Sequence, residues 1–177
     1  ATLCRGNTYI TPVNDSEYQP DSFYYTDAIS DNAAKYVADH FRDHSDEPFF
    51  LYVAYTSAHW PMHAPAAEIA KYKGVYDGGY GPMRESRLHK AIDQGVISDK
   101  WPMSAGAVNW ETFEHKEWDI RCMEVYAAMV DRMDQGIGRV VQAVRKANAV
   151  ENTIIVYLQD NGGCAEGYGR ADNEAKR

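Results

Sequence analysis

The sequence has 177 residues, 45% hydrophobic and 25% charged, with a net charge of −8 at pH 7. That suits one globular domain with a real core, and the acidic balance argues against non-specific nucleic-acid binding, which draws on clustered lysines and arginines. No apolar run approaches the roughly 20 residues of a membrane-spanning helix, and no basic-then-apolar leader opens the chain. The chain starts at Ala1-Thr2-Leu3-Cys4-Arg5 without an initiator methionine and stops at Glu174-Ala175-Lys176-Arg177, which reads as a piece of a longer protein.

In chain order, residues 1–20 are polar and read as a loop or edge segment. A helix is predicted from Thr26 to about Arg42, capped by Thr26 or Asp27, because Ala28, Ile29, Ala33, Tyr36, Val37 and Phe41 recur near helical period. His44-Ser45-Asp46-Glu47-Pro48 breaks it, and Phe49–Tyr55 reads as a strand apolar on both faces, as in an interior parallel strand. Residues 56–65 contain two prolines and are irregular; Ala66–Lys73 reads as a short helix ended by Gly74. Tyr76–Pro82 is turn material, Met83–Gln94 a helix, and 97–110 an excursion over the surface. Taken together, 74–111 forms a surface excursion that carries a helix, a place where substrate contacts often live.

The clearest helix is predicted over about Thr112–Asn148, striped by Ile120, Met123, Ala127, Val130, Ile137, Val141 and Val144. Gly136 and Gly138 interrupt it, as expected where another element packs close. Thr153–Leu158 reads as a second buried strand, which completes a strand–helices–strand unit. The expected fold is therefore α/β, a mostly parallel sheet flanked by helices with a right-handed crossover.

Two strand ends carry the candidate chemistry. Ligands of open α/β sheets bind beyond the carboxyl ends of the strands, and here those ends release His59 and the pair Asp160-Asn161. A carboxylate beside an amide carbonyl supplies hard oxygen ligands, suited to calcium or magnesium; the same Asp-Asn-Gly-Gly run also reads as a plain strand-ending turn. His59 reads as a hydrogen-bond donor to an oxyanion or a general acid, or as a loop histidine packed beside Trp60. His59 and His63 have the spacing of a helical zinc pair, but Pro61 between them argues against a helix. Lys71, Lys73 and Lys90 are cations available to an anionic substrate, although each falls on an exposed helix face, where solvation explains it as well. Asp131, Arg132 and Asp134 read as partners in ion pairs. The aromatic residues of 72–110 either line a cleft or cap the core. Cys4, Cys122 and Cys164 form no Cys-x-x-Cys motif; Cys122 reads as buried filler, and a Cys4–Cys164 disulfide stays an open alternative.

At these residues the chain resembles the arylsulfatase family, the formylglycine-dependent sulfatases of the alkaline-phosphatase-like superfamily. The matching stretches are Tyr24–Ile29, Pro48–Tyr55, Ala58–Pro65, Lys71–Gly79, Met123–Asp134 and Gln159–Gly163. Each alone is weak; their order and spacing over about residues 21–166 are specific. The resemblance implies a single partial catalytic domain over 1–177, with 21–166 as the family-like core. It implies that Asp160 and Asn161 bind calcium, with magnesium as the alternative, and that His59 contacts the substrate sulfate and assists the leaving oxygen. The family usually has proline before this histidine, where this chain has Ala58. His63 falls at a variable family position.

The family's Cys-x-Pro-x-Arg or Cys-x-Ala-x-Arg motif, whose cysteine (or a serine in its place) becomes formylglycine, matches none of the three cysteines here. The formylglycine, the N-terminal Asp-Asp metal ligands, the Lys-x-His pair and the lysine after Asp-Asn are therefore expected in the full chain, and the fragment alone is expected to be inactive. The implied substrate is a sulfate-ester small molecule or a sulfated glycan. Readings that remain open are a phosphonate or phosphodiester hydrolase of the same superfamily and a non-catalytic calcium-binding module. A periplasmic or secreted setting is implied, with a cytoplasmic one as the alternative; oligomeric state is not legible.

Overall fold

The computed structural model describes residues 3–106 and 108–163. These contain a two-stranded antiparallel sheet, β1 (Leu3–Arg5) and β2 (Thr8–Ile10), and four α-helices. The helices are α1 (Tyr25–Asp43), α2 (Ala66–Ala70), α3 (Tyr80–Asp93) and α4 (Lys116–Lys146). Short 3-10 turns lie at Trp110–Thr112 and Val150–Asn152. The chain divides into two compact units, one joining the residues up to Trp60 with Met129–Gly162, the other built on Pro61–Ala128.

In the first unit, the segment expected to be a loop or edge segment holds the β-hairpin. Gly6, at φ 57°, and Asn7 turn the chain between β1 and β2, the left-handed conformation that two-residue hairpin loops require. Arg5 on β1 donates two hydrogen bonds to the Asp15 carboxylate, at 3.2 and 2.6 Å, and one to Asn32 Oδ1 on α1 at 3.2 Å. This ties the hairpin to the helix.

Helix α1 buries Thr26, Ser30, Ala33 and Val37, spaced 4, 3 and 4 residues apart and so aligned on one face. The capping role expected of Thr26 or Asp27 is not what the structure shows. The cap residue is Tyr24, without a side-chain cap bond, because both candidates are committed to tertiary partners. The Thr26 hydroxyl lies 2.8 Å from Ser57 Oγ. The Asp27 carboxylate accepts from Arg132 Nε at 2.8 Å, Arg132 Nη2 at 2.9 Å and Arg139 Nη2 at 2.9 Å on α4. Arg139 Nε lies 2.8 Å from Asp31 Oδ1, an ion pair without hydrogen-bond alignment.

Gly136 on α4 faces Ser30 so closely that a Cβ there would stand 2.0 Å from Ser30 Oγ, whereas Gly138 has open space around it. The expected close packing at these two glycines thus holds for Gly136 alone.

The two predicted strands, 49–55 and 153–158, form no regular element and join no sheet among the described residues. Residues 49–55 alternate: Phe49, Leu51, Val53 and Tyr55 are half-buried, while Phe50 and Tyr52 stand 92% and 79% exposed. The inner face rests on α1, with Phe49 edge-on to Phe41 at 5.5 Å and the Tyr55 hydroxyl 2.9 Å from Ser30 Oγ. In the second segment Ile154, Val156 and Leu158 are 91%, 72% and 69% exposed. Unpaired chain with apolar side chains in water lacks the burial that stabilises a strand.

The second unit packs α2, α3 and the first half of α4 with irregular chain. Ile69 and Ala128 are buried. Three buried carboxylates are matched to donors. Glu68 is paired with Lys71. Asp119 accepts from the Tyr80 hydroxyl at 2.7 Å. Glu124 accepts from Gly74 N–H at 3.1 Å and Arg121 Nη1 at 2.9 Å. Gly79, at φ 75°, lets the Trp110 indole lie against the backbone, since a Cβ would meet it at 2.4 Å. Trp110 in turn stacks on Phe113 and meets Tyr80 edge-on. The aromatic residues Tyr80, Trp110 and Phe113 therefore cap packed chain rather than line an open cleft.

Candidate functional site

The two sequence-predicted elements of the site, His59 and Asp160-Asn161, lie in the first unit. His59 lies four residues after Tyr55, the end of the first apolar segment, and Asp160 two residues after Leu158, the end of the second. His59 is exposed, in a turn closed by its own backbone N–H donating to Thr56 carbonyl at 2.9 Å. Its Nδ1 lies 2.8 Å from the Trp60 carbonyl. A carbonyl only accepts, so Nδ1 carries the hydrogen, and Nε2 is the atom left to exchange a proton with a ligand. The turn is anchored by Ser57, bound to buried Thr26 on α1, and by Tyr55, bound to fully buried Ser30. Burial, first among the causes, pushes the Tyr55 hydroxyl up, so it stays a neutral hydrogen-bonding group.

Thr26, Ser30, Tyr55 and Ser57 are residues that sequence reasoning did not connect to His59. The available signal was the polar side chains on otherwise apolar faces of α1 and of segment 49–55.

Asp160 and Asn161 lie in a bend and are exposed. Asn161 Nδ2 donates to the Gly162 carbonyl at 2.8 Å, which turns the amide so that Oδ1 remains for another partner. The Asp160 carboxylate takes part in no hydrogen bond or ion pair among the described residues. Both are hard oxygen donors and fit a calcium or magnesium ion, but calcium takes six to eight such ligands. No group of three or more His, Cys, Asp or Glu placed to hold a metal occurs among the described residues. The pair therefore fits as part of a ligand set. No hydrogen bond links His59 to Asp160 or Asn161.

The other sequence candidates fall elsewhere. His63 is exposed and belongs to the second unit. Lys71 is held by Glu68. Asp131 accepts from Gln135 within α4 at 2.8 Å, while Arg132 reaches across to Asp27. Cys4 is exposed on β1 and Cys122 half-buried on α4; Cys164, its proposed partner in a disulfide with Cys4, lies outside the described residues.

Residues 1–177 match the family model described as Sulfatase. The chain belongs to the sulfatase family. It is 39% identical over 127 residues to an uncharacterised sulfatase of Schizosaccharomyces pombe, which covers 68% of this chain and 23% of that protein. To an arylsulfatase of Klebsiella aerogenes it is 30% identical over 160 residues, 88% of this chain and 34% of that one. To the human N-sulphoglucosamine sulphohydrolase it is 28% identical over 120 residues, 66% and 22% of the two chains. This sulfatase-family chain thus spans about a third or less of the length of these relatives. Family membership implies the alkaline-phosphatase-like α/β architecture, of which the described residues present the helices and a small antiparallel sheet. No described helix is long and apolar enough to cross a membrane.

Proposed function

We propose that the full-length protein is a sulfuric ester hydrolase, to which this chain contributes His59 as the residue at the leaving oxygen and Asp160 and Asn161 as metal ligands. The observation that carries the reading is the sulfatase match over all 177 residues, with these three residues following the two apolar segments 49–55 and 153–158. Those segments are proposed to be central strands of a parallel sheet completed by sequence beyond the described residues. Their exposed apolar side chains support this, because such a face is stable only when covered.

In the reaction a sulfate ester and water give an alcohol, sulfate and a proton. His59 binds the ester oxygen through Nε2 and delivers a proton to the departing alcohol as the S–O bond breaks. Trp60 carbonyl, by accepting from Nδ1, fixes the ring so that Nε2 faces the ligand and stabilises the ring when both nitrogens are protonated. The Thr26–Ser57 and Ser30–Tyr55 bonds hold the backbone that presents His59. Asp160 and the Asn161 amide oxygen would hold calcium, or magnesium, whose chemistry in the site is Lewis-acid polarisation of a sulfate oxygen. Each of the three cysteines lacks the Cys-x-Pro/Ala-x-Arg context, so the formylglycine nucleophile belongs to sequence outside this chain, and the 177 residues alone are expected to be inactive. A periplasmic or secreted location is part of the same reading.

The test is hydrolysis by the full-length protein of 4-nitrophenyl sulfate against 4-nitrophenyl phosphate and a phosphonate ester. Preference for the sulfate supports the proposal. Preference for either phosphorus ester would move the chain to another branch of the superfamily, and calcium binding without turnover of any of them would make it a binding module.

A further inference from the structure

We propose that the groove between α3 and the chain that follows it is a binding site for a sulfated polysaccharide, formed by residues other than the hydrolytic ones. The groove lies wholly within the second unit and has a volume of about 450 Å³. Its walls combine Arg84, Arg87 and Lys90 with the apolar side chains of Leu88, Val96 and Met103. No carboxylate lines it. Glu85 and Asp93 on α3, and Asp99 beyond it, belong to the same stretch of chain but not to the groove wall.

Three cations gathered along one groove stand out in a chain of net charge −8. Arg5, Arg42, Arg121, Arg132 and Arg139 each face a carboxylate within salt-bridge distance. Arg87 and Lys90 have no hydrogen-bond or ion-pair partner among the described residues, and Arg84 binds only the carbonyl and hydroxyl of Ser104. Lys100, Arg145 and Lys146 likewise lack an ion-pair partner among the described residues; what distinguishes the groove is that three cations gather beside apolar side chains with no carboxylate in its lining. Like charges at helical spacing repel modestly, and an anion bound among them relieves that repulsion.

Geometry favours a polymer over a lone anion. Arg84, Arg87 and Lys90 follow one another at intervals of three, so they climb the helix by about 4.5 Å per step and about 9 Å in all. One sulfate engages one or two of them, whereas successive sulfates along a saccharide chain reach all three. Guanidinium forks bind such oxyanions with two hydrogen bonds each. The apolar wall suits the C–H faces of sugar rings, which gain from leaving water. The choice of a sulfated polymer over a carboxylated one rests on the sulfatase reading; the groove's preference for a polyanion does not.

The experiment measures binding of low-molecular-weight dextran sulfate to the full-length protein across a range of salt concentrations. Unsulfated dextran, inorganic sulfate and oligothymidylate serve as comparisons. The variants are Arg87→Ala/Lys90→Ala and the charge-preserving Arg87→Lys/Lys90→Arg. Dextran sulfate is expected to bind more tightly than each comparison. The alanine pair should weaken it about tenfold or more and reduce the slope of log K against log salt by about one to two, as for the loss of two ionic contacts; the charge-preserving pair should retain most of the binding. Hydrolysis of 4-nitrophenyl sulfate should be the same in all three proteins. Equal binding of wild type and the alanine pair would overturn the proposal. So would equal affinity for unsulfated dextran, or affinity for oligothymidylate matching that for dextran sulfate. Groove-dependent binding without hydrolysis of any sulfate ester would refute the sulfatase reading and leave the groove standing, and hydrolysis without groove-dependent binding would do the reverse.

Discussion

Substituting alanine at Gly136 and at Gly138 should move stability in opposite directions. Both glycines lie in α4, where replacement by alanine gains about 1 kcal/mol of helix propensity. At Gly138 nothing stands within 4 Å of the new Cβ and the residue is exposed, so Gly138→Ala should stabilise by about 0.5 to 1 kcal/mol. At Gly136 the new Cβ would stand 2.0 Å from Ser30 Oγ, 2.9 Å from Ser30 Cβ and 3.2 Å from Tyr55 Oη. Ser30 cannot swing aside freely, because its hydroxyl donates to the Thr26 carbonyl at 2.8 Å and lies 2.9 Å from the Tyr55 hydroxyl. Moving it forfeits two hydrogen bonds at about 1 kcal/mol each, and the Cβ contact at 2.9 Å still forces α4 away from α1. Adding about 1 to 3 kcal/mol for overpacking and subtracting the propensity gain leaves a net loss of about 2 to 4 kcal/mol. Urea unfolding of the two full-length variants against wild type reads the difference. Equal midpoints for Gly136→Ala and Gly138→Ala would refute the close approach of α1 and α4 at Ser30.

Other outcomes follow from the site and its supports. His59→Ala in the full-length protein should lower kcat/KM on a sulfate ester about a hundredfold or more, with its melting temperature unchanged; a smaller effect on an ester with a very good leaving group would locate the role at the departing oxygen. Asp160→Ala should weaken calcium binding at least about tenfold in a calorimetric titration, while Asp134→Ala, remote from the strand ends in sequence, leaves it unchanged. Stability should fall on acidification. The hydrogen bond from Arg121 holds the Glu124 carboxyl below the usual range, and that from Arg5 does the same for Asp15. Groups lowered in the folded state contribute stability that is complete above their unfolded values and lost as pH falls through the folded ones, so the decline begins below about pH 4.5. Glu124→Gln should flatten that decline in unfolding curves recorded at successive pH values.

The helices were legible because their burial is one-sided and local. The stripe through Ala28, Ala33 and Val37 placed α1 within a residue of its observed ends, Tyr25 and Asp43. Its cap was misassigned for a reason no local pattern reveals: Thr26 and Asp27 are used by Ser57 on a distant loop and by Arg132 and Arg139 on α4. The β1–β2 hairpin was missed because each strand has three residues, too few for alternation to register, although the Gly6-Asn7 turn was there to be read.

Apolar composition at 49–55 and 153–158 read as buried strands, whereas the described residues there join no sheet and Ile154, Val156 and Leu158 are exposed. It could not supply pairing, which depends on the backbone of a partner strand. Of the candidate site, the side chains were readable from their positions after those segments, but the orientation of the His59 ring by Trp60 carbonyl depends on a turn whose geometry has no sequence signature. The cationic groove was invisible for the same reason. Lys90 read as a solvated surface residue and is exposed in the structure; the groove it borders depends on the chain at Val96 and Met103, which sequence pattern does not place beside α3.

The most direct test of the central claim is a crystal structure of the full-length protein with calcium and a bound sulfate. The account predicts Asp160 and Asn161 oxygens about 2.3 to 2.6 Å from the metal and His59 Nε2 within hydrogen-bonding distance, about 3 Å, of a sulfate oxygen. A metal held without Asp160 and Asn161, or a sulfate bound out of reach of His59, would contradict it.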